Sequence, residues 1–314
     1  MNFLKSICLI LLSIFSQLTY SQEQRLYKNY FSNGLYNLNP AAAGYDGQFI
    51  SQLSYVKNWT GITGSPGTQV LSNSIRMGEE EFYDPNMFLN RPLINLNNRV
   101  ALGFTLYTET SGPLRHTGLL FAYAYHIPLH TMRLSFGLAG MLAYYNLNTS
   151  EFKPIDTNDL SLYTNTSAFI PDVNVGSLLY DPTFFLGFSA NGFVNMNKIM
   201  DHTSRQPDFN LCGGYRFVIN KKLKFEPSLF IMMEQEGTLF DLNGKLYIRD
   251  KGWLLLAYRS NGEVTPGFGI RIKNVYQLNY IYAITTGGLA GYNYGSHQIS
   301  LRVNVTALVR QHQK

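Results

Sequence analysis

Few residues in this chain are spaced for chemistry. His126 and His130 stand four apart, the spacing that puts two imidazoles on one helical face for a metal, but Ile127-Pro128 between them forbids that helix. They read as turn and interface residues. Gly187-Phe188-Ser189-Ala190-Asn191 begins like a nucleophile elbow, yet it lacks the second glycine and falls within a strand-like run. Ser296 beside His297 is the least implausible pair for acyl chemistry, in the manner of a membrane-barrel hydrolase that combines a serine and a histidine across strands. There is no P-loop, no dinucleotide fingerprint and no CxxC motif. Beyond the N-terminal apolar run only Cys212 remains, so no internal disulfide is available. The 25 basic residues are scattered and the formal charge is only +5, so the basic stripe that nucleic acid requires is missing. No catalytic residue, cofactor or metal is assigned.

The elements that carry these residues are strands. His297, Ile299, Leu301, Val303 and Val305 alternate with Ser296, Gln298, Ser300, Arg302 and Asn304. Such a period-two stripe gives one apolar and one polar face. Leu134, Phe136, Leu138, Leu142 and Tyr144 oppose Arg133, Ser135, Gly137, Ala139 and Ala143 in the same way, and Leu119, Phe121, Tyr123 and Tyr125 oppose Gly118, Ala122 and Ala124. The pattern recurs to predict strands at 48–57, 68–77, 99–108, 114–126, 132–145, 172–180, 183–193, 208–219, 223–234, 238–249, 252–260, 263–273, 275–286 and 295–306. Only the run from Trp253 to Arg259, with Leu254, Leu255 and Leu256 together, shows no clear facing. An even count of about 14 strands, with 22 Tyr, 21 Phe and 27 Gly against 20 acidic residues, predicts an all-β fold: a transmembrane antiparallel β-barrel of the outer-membrane type, in contact with outer-membrane lipid. A mean hydropathy of −0.09 fits strands that are half apolar.

Residues 1–21 read as a secretory signal peptide: Lys5, an apolar run from Ile7 to Leu18, and Thr19-Tyr20-Ser21 before the cut. Residues 22–47 form a polar periplasmic segment whose aromatics Tyr27, Tyr30, Phe31 and Tyr36 need burial in the lumen or against the rim; 48–306 are the barrel and 307–314 a tail. Short turns at 128–131, 181–182, 220–222, 250–251 and 273–274 fall on one side and the longer 146–171, 195–207 and 287–294 on the other, which predicts periplasmic N- and C-termini. The segment 78–98 is long for that side and opens Glu79-Glu80-Glu81; it reads as a solvated loop or a partner-docking one. Arg133, Arg216, Lys224, Glu226, Asp241, Lys245, Arg271 and Arg302 are predicted to face the lumen. Mixed signs there serve either a water-filled channel or a paired-up, filled interior.

Local patterns then narrow the field. Tyr36-Asn37-Leu38-Asn39-Pro40-Ala41-Ala42-Ala43-Gly44 precedes the first strand. Asn58-Trp59-Thr60-Gly61-Ile62-Thr63-Gly64-Ser65-Pro66-Gly67 fills the first loop, and Gly112-Pro113 tips the second hairpin. Ile170-Pro171-Asp172-Val173-Asn174-Val175-Gly176, Phe185-Leu186-Gly187-Phe188-Ser189 and Gly295-Ser296-His297-Gln298-Ile299 follow. In this order the set resembles the PorP/SprF family of type IX secretion system outer-membrane proteins. The resemblance implies a Bacteroidetes outer membrane. It also implies contact with type IX components (a periplasmic ring or a peptidoglycan-binding lipoprotein) and service to a secreted adhesin with a C-terminal sorting domain, of the gliding-motility kind. The family-motif positions are Asn39, Pro40, Gly44, Trp59, Gly61, Gly64, Pro66, Gly112 and Pro113. Physically, Asn39, Pro40 and Gly44 set how the chain enters the barrel, and the loop glycines with Pro66 shape a constrained rim. The rival reading is a passive diffusion channel of the same fold.

Overall fold

The computed structural model describes residues 34–77, 99–148, 166–194, 207–234, 237–249, 251–286 and 290–312. The signal peptide, the acidic run of 78–98 and most of the longer connections lie outside the described residues. The chain forms β1 (Ile50–Lys57), β2 (Gly67–Arg76), β3 (Val100–Ser111), β4 (Leu114–Leu129), β5 (Met132–Leu147), β6 (Thr166–Tyr180), β7 (Phe184–Asn191) and β8 (Asp208–Tyr215). It continues with β9 (Phe217–Asn220), β10 (Leu223–Glu234), β11 (Gly237–Ile248), β12 (Gly252–Arg259), β13 (Glu263–Ile272), β14 (Tyr276–Thr285) and β15 (Ser296–Asn304), and ends in helix α1 (Val305–His312). Consecutive strands pair antiparallel except β8 with β9, and β1 pairs with β15, Leu53 opposite Leu301, which closes the ring. β8 and β9 both lie on the same side of β10, two pieces of one staple, so fifteen segments make a fourteen-strand barrel.

Alternation decides which residues face out. Leu53, Tyr55, Phe136, Leu138, Leu254, Leu256, Ile299 and Leu301 are exposed on the outer surface, while Gln52, Ser54, Ser135, Ala139, Gln298 and Ser300 are buried inside. Trp253 to Arg259 follows the same rule: Trp253, Leu255, Ala257 and Arg259 point inward. Its three leucines hid the phase because Leu255 is an apolar residue on the inner face.

Several boundaries depart from the sequence reading, four of them with a clear physical reason. β6 starts at Thr166 rather than 172, because Ser167 and Phe169 alternate with buried Ala168 and pair with β5 up to Leu147. Pro171 is tolerated there since the β6–β7 ladder begins only at Val175, leaving an edge. The strand predicted at 208–219 breaks at Arg216, whose buried guanidinium turns to Glu226. The final strand stops at Asn304, whose side chain accepts from Ala307 N (3.0 Å) and so caps α1, where a tail was expected. Finally, His126 is not a turn residue but a buried member of β4, and the hairpin turns instead at His130, with φ of 51°.

Candidate functional site

The lumen holds a segment of the chain itself. Residues 35–44 form two 3-10 turns, Leu35–Asn37 and Pro40–Ala42, and Leu38, Asn39, Pro40, Ala41, Ala42 and Ala43 are buried. Proline at the first position of the second turn presets its φ, and Asn39 caps it by accepting from Ala41 N (3.0 Å). A turn of three alanines is narrow, so its main chain can approach the wall closely. The wall is cut to match. A Cβ on Gly137 would lie 2.1 Å from Ala41 N, one on Gly176 2.1 Å from Asn39 Oδ1, and one on Gly187 2.9 Å from Asn39 Nδ2. Gly103 receives the Tyr36 ring at 2.9 Å in the same sense.

Polar groups on the wall read the plug's main chain. Ser135 Oγ donates to Ala41 O (2.7 Å), Ser189 Oγ to Leu38 O (2.9 Å), and Gly44 N donates to Ser74 Oγ (2.7 Å). Asn39 Nδ2 returns the favour by donating to Ser177 O (2.9 Å) and Phe188 O (3.2 Å), facing residues of the β6–β7 ladder. His126 Nε2 lies 2.9 Å from Ala43 O. A carbonyl only accepts, so Nε2 carries the proton and Nδ1 is left to accept from Tyr180 (2.9 Å) or Arg76 (3.3 Å). The Tyr36 hydroxyl bonds Phe104 O and Thr105 Oγ1, and burial pushes its pKa up to about 12, so it remains a donor. The plug leaves by Gly44 (φ 65°) and Gly47 (φ 73°), and between them Asp46 pairs with Arg302 Nη2 (2.5 Å). Asn304 bonds Gln48 just beyond.

The other lumen charges also meet partners. Arg216 pairs with Glu226 (2.5 Å); Arg259 joins Asp241 (2.8 Å) and Glu263 (2.7 Å); Lys245 Nζ sits 4.3 Å over the Trp253 ring. Arg133 is buried beside Tyr180, while Lys224 and Arg271 are half-buried near the mouth where β1 begins and β15 ends. At the opposite rim, the loop after β1 is knotted to two neighbours. Thr60 N donates to Gly295 O (2.8 Å), Trp59 N to Ser296 Oγ (3.1 Å), and Gly112 N to Gly64 O (2.8 Å). Asn58 N bonds Pro66 O, Asn148 N bonds Pro113 O, and a Cβ on Gly61 would strike Tyr294 at 2.7 Å. Half-buried Trp59 itself adopts a φ of 45°. The candidate hydrolase pair is split: Ser296 faces in, and His297 faces out to bond the Tyr280 hydroxyl (2.8 Å). Adjacent strand residues point to opposite faces and cannot share a proton. Among the described residues no group of three or more His, Cys, Asp or Glu could hold a metal.

Sequence reasoning missed Arg76, Tyr180, Asp46, Arg259 and Glu263. Arg76 and His126 were within reach, since each is in phase with inward neighbours of its strand (Ser72 for the first, Ala122 and Ala124 for the second).

Strand number, closure and the outward apolar band define an outer-membrane-type β-barrel, here with an occupied lumen. Two solved barrels share the fold. The Acinetobacter baumannii outer membrane protein Omp33 is 8% identical with a TM-score of 0.50, the match covering 82% of this chain and 97% of that one. The Ralstonia pickettii toluene transporter TbuX is 10% identical with a TM-score of 0.50, covering 85% and 92%. No curated protein matches the sequence. The family model described as type IX secretion system membrane protein PorP/SprF matches residues 19–303, and the chain belongs to that family.

Proposed function

We propose that this chain is a plugged outer-membrane component of the type IX system that assists secretion or surface attachment of a cargo adhesin, of the gliding-motility kind, through protein–protein contact. The observation that carries this reading is the plug: a buried, main-chain-bonded turn occupies the lumen that a diffusion channel would need open. Family and fold are those of a secretion-system barrel rather than an enzyme class. The short turns at His130-Thr131, Lys221-Lys222 and Lys273-Asn274 support placing that mouth, and with it both chain ends, in the periplasm of a Bacteroidetes cell. There the mouth would meet the periplasmic ring or a peptidoglycan-binding lipoprotein. Residues 1–21 are then a cleaved signal, and the knotted rim of Trp59, Gly61, Gly64, Pro66, Gly112 and Pro113 faces the medium, where cargo is held.

Quantitative proteomics of medium and cell surface in a deletion strain tests this. Loss of one adhesin with other substrates unchanged is the expected result, and loss of every substrate would make the chain a core component. No change in any substrate, together with an ohmic open pore in planar bilayers, would sink the reading in favour of a diffusion channel.

A further inference from the structure

At the mouth where β1 begins and β15 ends, β9 runs past the barrel wall. On the side away from β10, the last bond to the neighbouring hairpin is Arg216 N to Thr183 O (2.6 Å). Beyond it β9 pairs only with β10, so its other edge meets no strand among the described residues. A wall residue has one covered face, yet here three consecutive apolar side chains are open: Phe217 at 51%, Val218 at 64% and Ile219 at 59%. Lipid accounts for the outward phase of Phe217 and Ile219 but not for Val218, which shares the inward phase of Arg216. The register slips between Leu223 and Lys224, and that irregularity re-aims the strand. An exposed apolar strand with unpaired main-chain groups is a template for strand addition.

On the β10 side of this strand the described charge of two turns is of one sign, while in the turn on its open side Asp181 is engaged by Thr183 and Phe184 N. Lys221 and Lys222 follow β9 directly, and Arg249 N donates to Lys222 O (2.7 Å), which joins the next turn with Arg249 and Lys251. All four are exposed; the one acidic residue of these two turns, Asp250, lies outside the described residues. We propose that the β9 edge is a docking site for an extended segment of a partner protein, apolar in its core and flanked by acidic residues. Strand pairing supplies affinity, the apolar side chains cover Val218 and its neighbours, and the acidic flanks meet the lysine row. This rests on the preceding reading only for where the partner is met, in the periplasm; binding itself does not depend on it.

The test uses the full chain in neutral-lipid nanodiscs and a fluorescent synthetic peptide, a Val/Thr-alternating core between paired glutamates. Anisotropy should rise saturably with the protein and not with empty nanodiscs. Replacing the central residue of the peptide by proline, which cannot pair, should weaken binding by about tenfold or more, as should lysines in place of the flanking glutamates. The double variant Lys221→Glu/Lys222→Glu, checked for heat-modifiable migration as a folded barrel, should invert the preference between the two flank types. Equal binding of the proline peptide, or no saturable binding at all, overturns the proposal. These peptide comparisons use the unaltered protein, so they hold even if the variant fails to fold. Peptide binding with no secretion defect in the deletion strain would sink the secretion reading and leave the docking edge standing.

Discussion

At the scale of single residues, the glycines of the wall matter as much as any charged side chain. Gly137 and Gly140 belong to the same strand, but a Cβ on Gly137 would strike the plug's main chain, while one on the outward-facing Gly140 meets nothing within 4 Å. Gly137→Ala should therefore displace the plug and cost about 1–3 kcal/mol, while Gly140→Ala should stay within about 0.5 kcal/mol of wild type. Urea unfolding and protease access to residues 34–47 read the two effects together. Asn39 caps its turn through Oδ1, which an aspartate keeps, and holds the wall through its amide N–H groups, which an aspartate lacks. Asn39→Asp would set a carboxylate against the Ser177 and Phe188 carbonyls, so it should loosen the plug more than Asn39→Ala, itself worth about 1–3 kcal/mol. Equal protease cleavage of the two variants would show that the carbonyl contacts contribute little.

At the scale of elements, plug and barrel hold together by separate means. The strand ladder closes on itself without residues 35–44, whose contacts to it are side-chain bonds and packing. Deleting 34–44 should leave a folded, heat-modifiable barrel that conducts in planar bilayers, where the intact chain is silent; silence of the deletion would show that the charged pairs of β10–β15 block the lumen unaided. The barrel was legible because alternation survives in almost every strand. It failed where an inner position is apolar, as at Leu255, or where a strand runs into a proline, as at Pro171. The aromatic content of 22–47 raised lumen packing as an option, and Tyr36 does lie there. The seat itself was not legible. It is made of absences, Gly103, Gly137, Gly176 and Gly187 on three hairpins, and a missing Cβ announces no partner. Nor does alternation tell which inward charges meet across the lumen, since Asp46 and Arg302 stand 256 positions apart.

At the scale of the whole molecule, the ring is fastened where its two ends meet. Beyond the β1–β15 ladder, Phe49 N donates to Thr306 Oγ1 (3.1 Å) and Val305 N to Phe49 O (2.9 Å), with Asp46–Arg302 and Gln48–Asn304 alongside. Arg302→Gln should loosen this clasp and lower the temperature at which heat-modifiable migration is lost, with Asp46→Asn giving the same shift and the double variant no more than either.

The clasp also moors the lumen's contents to the seam. The tether that leads from the plug into β1 carries Asp46 and Gln48, and their partners Arg302 and Asn304 sit on β15, the strand that turns the open sheet into a ring. One short stretch of chain thus serves both the stopper and the joint, so a pull on either is felt by the other.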